Sequence, residues 1–198
     1  TGYAGEMLIK VKERSPQLDT SSKNTESTQS REKFDRNYYL GNSPGCNEFA
    51  ETKGRTIRDT RLTTLLDLGF LKEPKRTLDL GCGRGEITRQ LARQGRNVIA
   101  LDYSTAAIAI AESCFADEPE LIPRVEFNCA DATELDLPAP VGTVLAGDII
   151  EHLSRSEVER MYANVARNLT PDGRFIVHTA PSIWYQTREY RRKPRGSD

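Results

Sequence analysis

Four of the six aspartates between residues 77 and 148 stand at or near the ends of β-favouring runs, and a glycine-rich bend lies beside the first. The stretch from Leu78 to Glu86 reads LDLGCGRGE: Asp79 precedes glycines at 81, 83 and 85, with Arg84 between the last two. Glycine lets a backbone turn sharply and approach a ligand closely, because no Cβ stands in the way. Asp102, 17 residues after Gly85, closes the run NVIALD, where a carboxylate can accept both hydroxyls of a ribose. Asp131 closes RVEFNCAD, where it could accept from an exocyclic amine, and Asp148 closes VGTVLAGD. A ligand for this set is cationic or neutral near the bend. A dinucleotide fingerprint would need a glycine at position 86, which is glutamate, and a diphosphate would be repelled by the neighbouring acids. The plain alternatives are a glycine-rich turn without a ligand and acids that only cap helices. Four acids beside one bend favour a binding cradle.

Such residues meet only if regular elements bring them together. RTLDL is a short β-favouring run, and EITRQLARQG places Ile87, Leu91 and Ala92 on one helical face before a stop at Gly95. NVIALD is the next strand, and Ser104 can cap a helix through TAAIAIAESCF. RVEFNCAD and VGTVLAGD are the third and fourth strands. SRSE, from Ser154 to Glu157, is a capping box opening a helix with Val158, Met161, Tyr162, Val165 and Leu169 at helical spacing. TPDG then turns the chain into a fifth strand, RFIVHT. Strands alternating with helices predict right-handed crossovers and an α/β fold with a mainly parallel, doubly wound sheet. In such sheets ligands sit outside the carboxyl ends of the strands, where the strand order reverses.

Composition narrows the function classes. The 198 residues suit one domain with a sizeable core, and 28 basic against 29 acidic side chains leave a net charge of −1. No global field draws such a chain to nucleic acid or an anionic membrane. No apolar run nears the ~18 residues of a membrane span, and the polar start lacks a secretory pattern, so a soluble cytoplasmic protein is expected. Cys46, Cys82, Cys114 and Cys129, spaced by 36, 32 and 15 residues, fit neither a CxxC metal site nor a small disulfide framework and read as reduced thiols, three of them in core-like segments. From Ser15 to Lys33 the only large aliphatic residue is Leu18, so residues 1–33 read as a flexible polar leader; within it MLIKV could be a short strand or helix. Residues 183–198 form a basic tail, with Arg188, Arg191, Arg192, Lys193 and Arg195, read as solvated or as a grip for phosphate.

In order and spacing, LDLGCGRGEIT, VIALDYS, FNCADATEL and GDIIEHL resemble the successive motifs of class I S-adenosylmethionine-dependent methyltransferases, over residues 77–182. The resemblance implies a Rossmann-like methyltransferase fold, S-adenosylmethionine as cofactor and S-adenosylhomocysteine as its product. It places Asp79 at the methionine amino group, Gly81 and Gly83 along the methionine portion, Asp102 on the ribose, Asp131 and Ala132 at the adenine with Tyr103 packing its ring, and Asp148 at the methionine end. It also implies that residues 34–76 form an N-terminal helical cover, in which Tyr38 and Tyr39 touch cofactor or substrate and Arg61 binds the methionine carboxylate. The alternative is that the tyrosines only pack the cover and Arg61 is solvated.

A sulfonium is an activated methyl donor, so catalysis is mainly alignment, which supplies roughly 7–11 kcal/mol of a barrier. A hydroxyl acceptor also needs a base, and the chain has two histidines: His152 after the fourth strand and His178 at the end of the fifth. His178, on an apolar strand, could instead be a hydrogen-bonded core residue. A helical turn would put Asp148, Glu151 and His152 on one face, where they could hold a divalent ion. That segment is similar to the E-x-x-E-H of ubiquinone-pathway O-methyltransferases and small-RNA 2′-O-methyltransferases, some of which use such a metal, though EHL also occurs in relatives that bind none.

The expected reaction is methyl transfer to oxygen, or secondarily nitrogen, of a small-molecule acceptor that could carry a phosphate. GDIIEH in place of (D/N)PPY argues against methylation of DNA bases, and no membrane partner is expected. Only 19 residues follow Thr179, too few for the helix and two further strands with which the family sheet usually ends. The C-terminal end of the sheet is thus expected to be shortened, in a fragment, a short member, or a chain completed by a homo-oligomer or a second domain. A non-catalytic S-adenosylmethionine-binding scaffold and a nicotinamide-dependent oxidoreductase are the alternative functions.

Overall fold

The computed structural model describes residues 34–69 and 76–179, which leaves the leader and the basic tail outside the described residues. In chain order the elements are α1 (Cys46–Thr52), α2 (Thr60–Gly69), β1 (Thr77–Leu80), α3 (Glu86–Arg93), β2 (Val98–Asp102), α4 (Thr105–Ser113), β3 (Val125–Cys129), β4 (Val141–Gly147), α5 (Arg155–Asn168) and β5 (Leu169–His178). A π-helical segment, Tyr38–Asn42, precedes α1, and short 3-10 turns cover Pro119–Arg124, Ala132–Glu134 and Ile150–His152.

Parallel strands that carry apolar residues on both faces must be covered on both. The five strands lie in the order β3-β2-β1-β4-β5 and every pairing is parallel. All residues of β1 and β2, and all of β4 but its last, are buried. Leu78, Leu80, Ile99, Leu101, Val144 and Ala146 pack towards Met161 and Val165 of α5. On the other face Val98 and Leu145 meet Leu65 and Leu66 of α2 and Ile87 and Leu91 of α3, while Ala100 meets Ile108 of α4. Each fully buried Leu or Ile contributes roughly 1.5–3 kcal/mol, so this two-sided core fixes the strand tips.

Local signals set the boundaries. Ser104 accepts from Ala107 N at the start of α4, and Ser154 and Glu157 form a reciprocal capping box on α5. Gly85 precedes α3 at φ 81°, and a Cβ there would come within 2.9 Å of Ala111 Cβ on α4, so only glycine lets these segments approach.

Several expectations require adjustment. β5 begins at Leu169 rather than Arg174: it pairs Val141 with Leu169 and Thr143 with Arg174, so the TPDG residues bulge within the strand instead of turning before it. Pro171 cannot donate to a ladder, and the bulge accommodates it. α4 stops at Ser113, short of Cys114 and Phe115. Asp79 lies inside β1, and Asp131 stands beyond β3 as the cap of a 3-10 turn. Cys82 and Cys114 are buried and Cys46 half-buried, but Cys129, on the sheet-edge strand β3, is exposed; all four are free thiols. Among the described residues no helix is long and apolar enough to cross a membrane.

Candidate active site

Strand order reverses between β1 and its two neighbours, and a cleft of about 430 Å³ opens there, between the strand tips and the N-terminal residues that follow Phe34. Asp79, Gly81, Gly83, Asp102, Tyr103, Asp131, Ala132, Asp148, Tyr39, Arg61 and His152 all line it. His178 does not.

The β1–β2 side is dry. Asp79 is 3% exposed and accepts a 2.5 Å hydrogen bond from Thr88 Oγ1. Burial pushes its carboxyl up to about 7, against the hydrogen bond, with Asp102 adding to the rise. Asp102 accepts from Gly83 N at 3.0 Å and from Ser104 N at 2.9 Å; burial raises its pKa and these backbone bonds oppose the rise. Leu101 O accepts from Gly81 N and Cys82 N, which ties the bend to β2. Gly83, at φ 51°, faces the Tyr39 ring, whose Cε1 would lie 3.6 Å from a Cβ at that position. Burial, followed by the Asp102 charge, raises the Tyr39 hydroxyl far above its ordinary value. Asp131 Oδ1 accepts from Thr133 N at 2.8 Å, and Ala132 is buried beside it.

Arg84 explains its place between the glycines. It is 7% exposed and reaches out of the bend into the N-terminal segment, donating to Tyr39 O (3.1 Å), Ser43 Oγ (2.9 Å) and Pro44 O (3.0 Å). Its Nε donates to Glu86 at 3.0 Å and its guanidinium lies 5.0 Å from the Phe49 ring centroid. Sequence reasoning left this residue unexplained. The only local signal was an arginine inside a glycine bend, and its partners lie about 40 positions away. Farther along α3, Arg89 and Gln90 donate to Lys53 O and Gly54 O, so the same helix carries the N-terminal segment.

The β4–β5 side is an ion network. Asp148, at φ 54°, turns the chain after β4; its N donates to His178 O, its Oδ1 meets His178 Nδ1 at 2.8 Å, and its Oδ2 accepts from Arg61 Nη1 at 2.8 Å. The left-handed conformation is one that Asp tolerates better than most residues. Arg61 also donates to Asp59, through Nη2 at 2.6 Å and Nε at 3.1 Å, and holds the Asp59 carboxyl below its ordinary range. Asp59 was not foreseen, although its spacing two residues before Arg61 is visible. Glu151 accepts from Thr179 Oγ1 at 2.8 Å. His152 stands edge-on to Phe34, ring centroids 4.9 Å apart, and Phe34 meets Tyr38 edge-on at 4.8 Å.

The helical turn expected to align Asp148, Glu151 and His152 is a 3-10 turn of Ile150–His152, with Asp148 outside it and aimed at Arg61 and His178. Among the described residues no three His, Cys, Asp or Glu side chains cluster as metal ligands do.

A family model described as a methyltransferase domain matches residues 77–173. The chain is 33% identical over 109 residues to the ubiquinone biosynthesis O-methyltransferase of Bradyrhizobium diazoefficiens, covering 55% of this chain and 41% of that protein. It is 30% identical over 122 residues to phosphoethanolamine N-methyltransferase 1 of Triticum aestivum, covering 60% of this chain and 24% of that protein. In solved structures it is similar to the PH0226 protein from Pyrococcus horikoshii OT3, with a TM-score of 0.56 at 26% identity over 73% of this chain and 59% of that one. The chain spans less than half the length of either curated relative.

Proposed function

Residues 77–173 belong to the class I S-adenosylmethionine-dependent methyltransferases, and from that premise we propose that the chain binds S-adenosylmethionine in the cleft and transfers its methyl group to a small-molecule acceptor. The observation that carries this reading is that carboxylates in or just beyond four successive strands, Asp79, Asp102, Asp131 and Asp148, line one cleft beside a glycine-rich bend. The residues present fit the ligand. A cleft of about 430 Å³ lies in the range of small-molecule sites, roughly 300–1,000 Å³. Gly81 and Gly83, both at positive φ, line the cleft without side chains, and Asp79 is a buried acid short of positive charge.

In this reading Asp79 orients the α-ammonium, Arg61 meets the carboxylate, Asp102 accepts from the ribose hydroxyls, and Asp131, Ala132 and Tyr103 border the adenine. The bound sulfonium supplies an activated methyl group. The chain's own part is to bind, to align and to exclude water. Of the two histidines His152 is assigned as proton acceptor, because it lines the cleft. His178 is assigned an orienting role, acting through Asp148. The similarity to an O-methyltransferase and to an N-methyltransferase supports a methyltransferase without separating the two acceptor chemistries.

Calorimetry with S-adenosylhomocysteine tests the assignment. Micromolar binding is expected, weakened about 100-fold by Asp102→Ala, since hydrogen bonds to a buried charge are worth roughly 1.5–3 kcal/mol. Equal affinities for the two proteins would overturn the ribose assignment.

A further inference from the structure

Among the described residues nine carboxyl side chains line the cleft against two guanidinium groups, although acids and bases nearly balance over the whole chain. Both guanidinium groups pair with carboxylates, Arg84 with Glu86 and Arg61 with Asp59 and Asp148. Neutral groups donate to the outlying acids: Thr133 N to Asp131, Thr179 Oγ1 to Glu151 and Ser154 N to Glu157. A concave site lined by one sign of charge focuses its field inward.

That field sorts acceptors by the charge they bring and the charge they leave. A phenolate, carboxylate or phosphate-bearing acceptor is repelled, and methylating an oxyanion consumes the positive charge that the cleft stabilises. An amine enters as an ammonium ion, and once it has given up one proton, methyl transfer moves the sulfonium's positive charge onto the N-methylammonium nitrogen, so that charge stays in the cleft. A second feature points the same way. The edge-on rings of Phe34, Tyr38 and His152 line the cleft together with the Glu151 carboxylate, a combination of aromatic and acidic groups that suits an organic cation. Glu151 is close enough to the Tyr38 hydroxyl that, after burial, its charge is the main influence raising that group.

We propose that the methyl acceptor is an amine, held as its ammonium ion at the corner of Phe34, Tyr38, Glu151 and His152. This rests on the methyltransferase reading above and puts nitrogen ahead of oxygen, the reverse of the sequence expectation. The ammonium gives one proton to His152, its nitrogen lone pair forms the new bond to the methyl carbon, and the carbon–sulfur bond breaks with its electron pair remaining on sulfur. One proton is released to solvent per turnover.

Two measurements test this. The protein is incubated with methyl-labelled S-adenosylmethionine and either a pool of aliphatic and aromatic amines or a pool of phenols and carboxylic acids. Label in the amine pool is expected to exceed that in the other by about tenfold or more, and Glu151→Gln is expected to raise the amine KM about threefold to tenfold while leaving S-adenosylhomocysteine affinity unchanged. Calorimetry at about 20 and about 500 mM salt compares S-adenosylmethionine with S-adenosylhomocysteine; the cation is expected to bind severalfold more tightly, with the gap shrinking as salt rises. Label mainly in phenols or acids, or no label in either pool, overturns the amine assignment, and S-adenosylhomocysteine binding then shows that the cofactor site itself stands. Failure of S-adenosylhomocysteine to bind overturns both.

Discussion

The two sides of the cleft solve the problem of holding acids in opposite ways. On the β1–β2 side Asp79 and Asp102 are buried and held by hydroxyl and backbone N–H donors, and burial drives both carboxyls upward. On the β4–β5 side Asp59 and Asp148 share Arg61 at the edge of solvent, and Asp59 is pulled downward. The arginines follow the same division: Arg84 is 7% exposed and spends most of its donors on neutral oxygens, whereas the Arg61 side chain is 36% exposed and faces two carboxylates. The dry side is built to need a cation; the wet side is already compensated and sets geometry.

The largest effect expected from breaking this contrast comes from Arg84→Ala. It strands Glu86 and three oxygen acceptors in a buried place, and loss of one partner of a buried pair typically costs about 3–5 kcal/mol. The urea midpoint should fall accordingly, while the same truncation at Arg61 should not approach that loss.

Asp79→Asn is expected to rank next, and its sign depends on pH. The unfolded carboxyl ionises near 4 and the folded one near 7, so the native state keeps the proton longer and loses stability as pH rises through that window. Asparagine removes this cost. The ligand-free variant should therefore melt a few degrees higher than wild type at pH 8, by roughly 1–3 kcal/mol, and match it near pH 4. S-adenosylhomocysteine should bind the variant less tightly, and in wild type its thermal stabilisation should grow from pH 6 to pH 8. A lower melting temperature at pH 8 would mean that Asp79 is already paired with a cation.

The smallest effect is expected for Arg61→Lys. Partly exposed ion pairs are worth about 0–1 kcal/mol, so stability should stay within that range, while cofactor affinity drops because an ammonium cannot copy the fork shared by Asp59 and Asp148. A stability loss comparable with that of Arg84→Ala would erase the distinction between the sides.

Much of this was legible in the sequence, for reasons that differ between residues. The alternation of strands and helices and the Ser104 and Ser154 caps follow from periodicity and local hydrogen-bond chemistry, and topology then carries Asp102, Asp131 and Asp148 to the same edge. The Arg84 partners were not legible, because Tyr39, Ser43 and Pro44 join it through tertiary packing that no local pattern encodes. The TPDG bulge was misread because Pro and Gly signal a turn equally well whether the chain reverses or merely steps out of a ladder. The environment of His178 was half legible: its strand was clear, but its pairing with Asp148 depends on a left-handed residue that spacing cannot foretell.

Arg84 also bears on how a scaffold of this kind could be re-equipped. A donor segment grafted over these strand tips would have to offer two carbonyls and a hydroxyl where Tyr39, Pro44 and Ser43 now offer them. A replacement chosen for a new acceptor but lacking those three oxygens would leave a buried guanidinium without lodging and disturb the floor beneath it. Exchanging the N-terminal segment therefore means supplying a new anchor for Arg84 along with it.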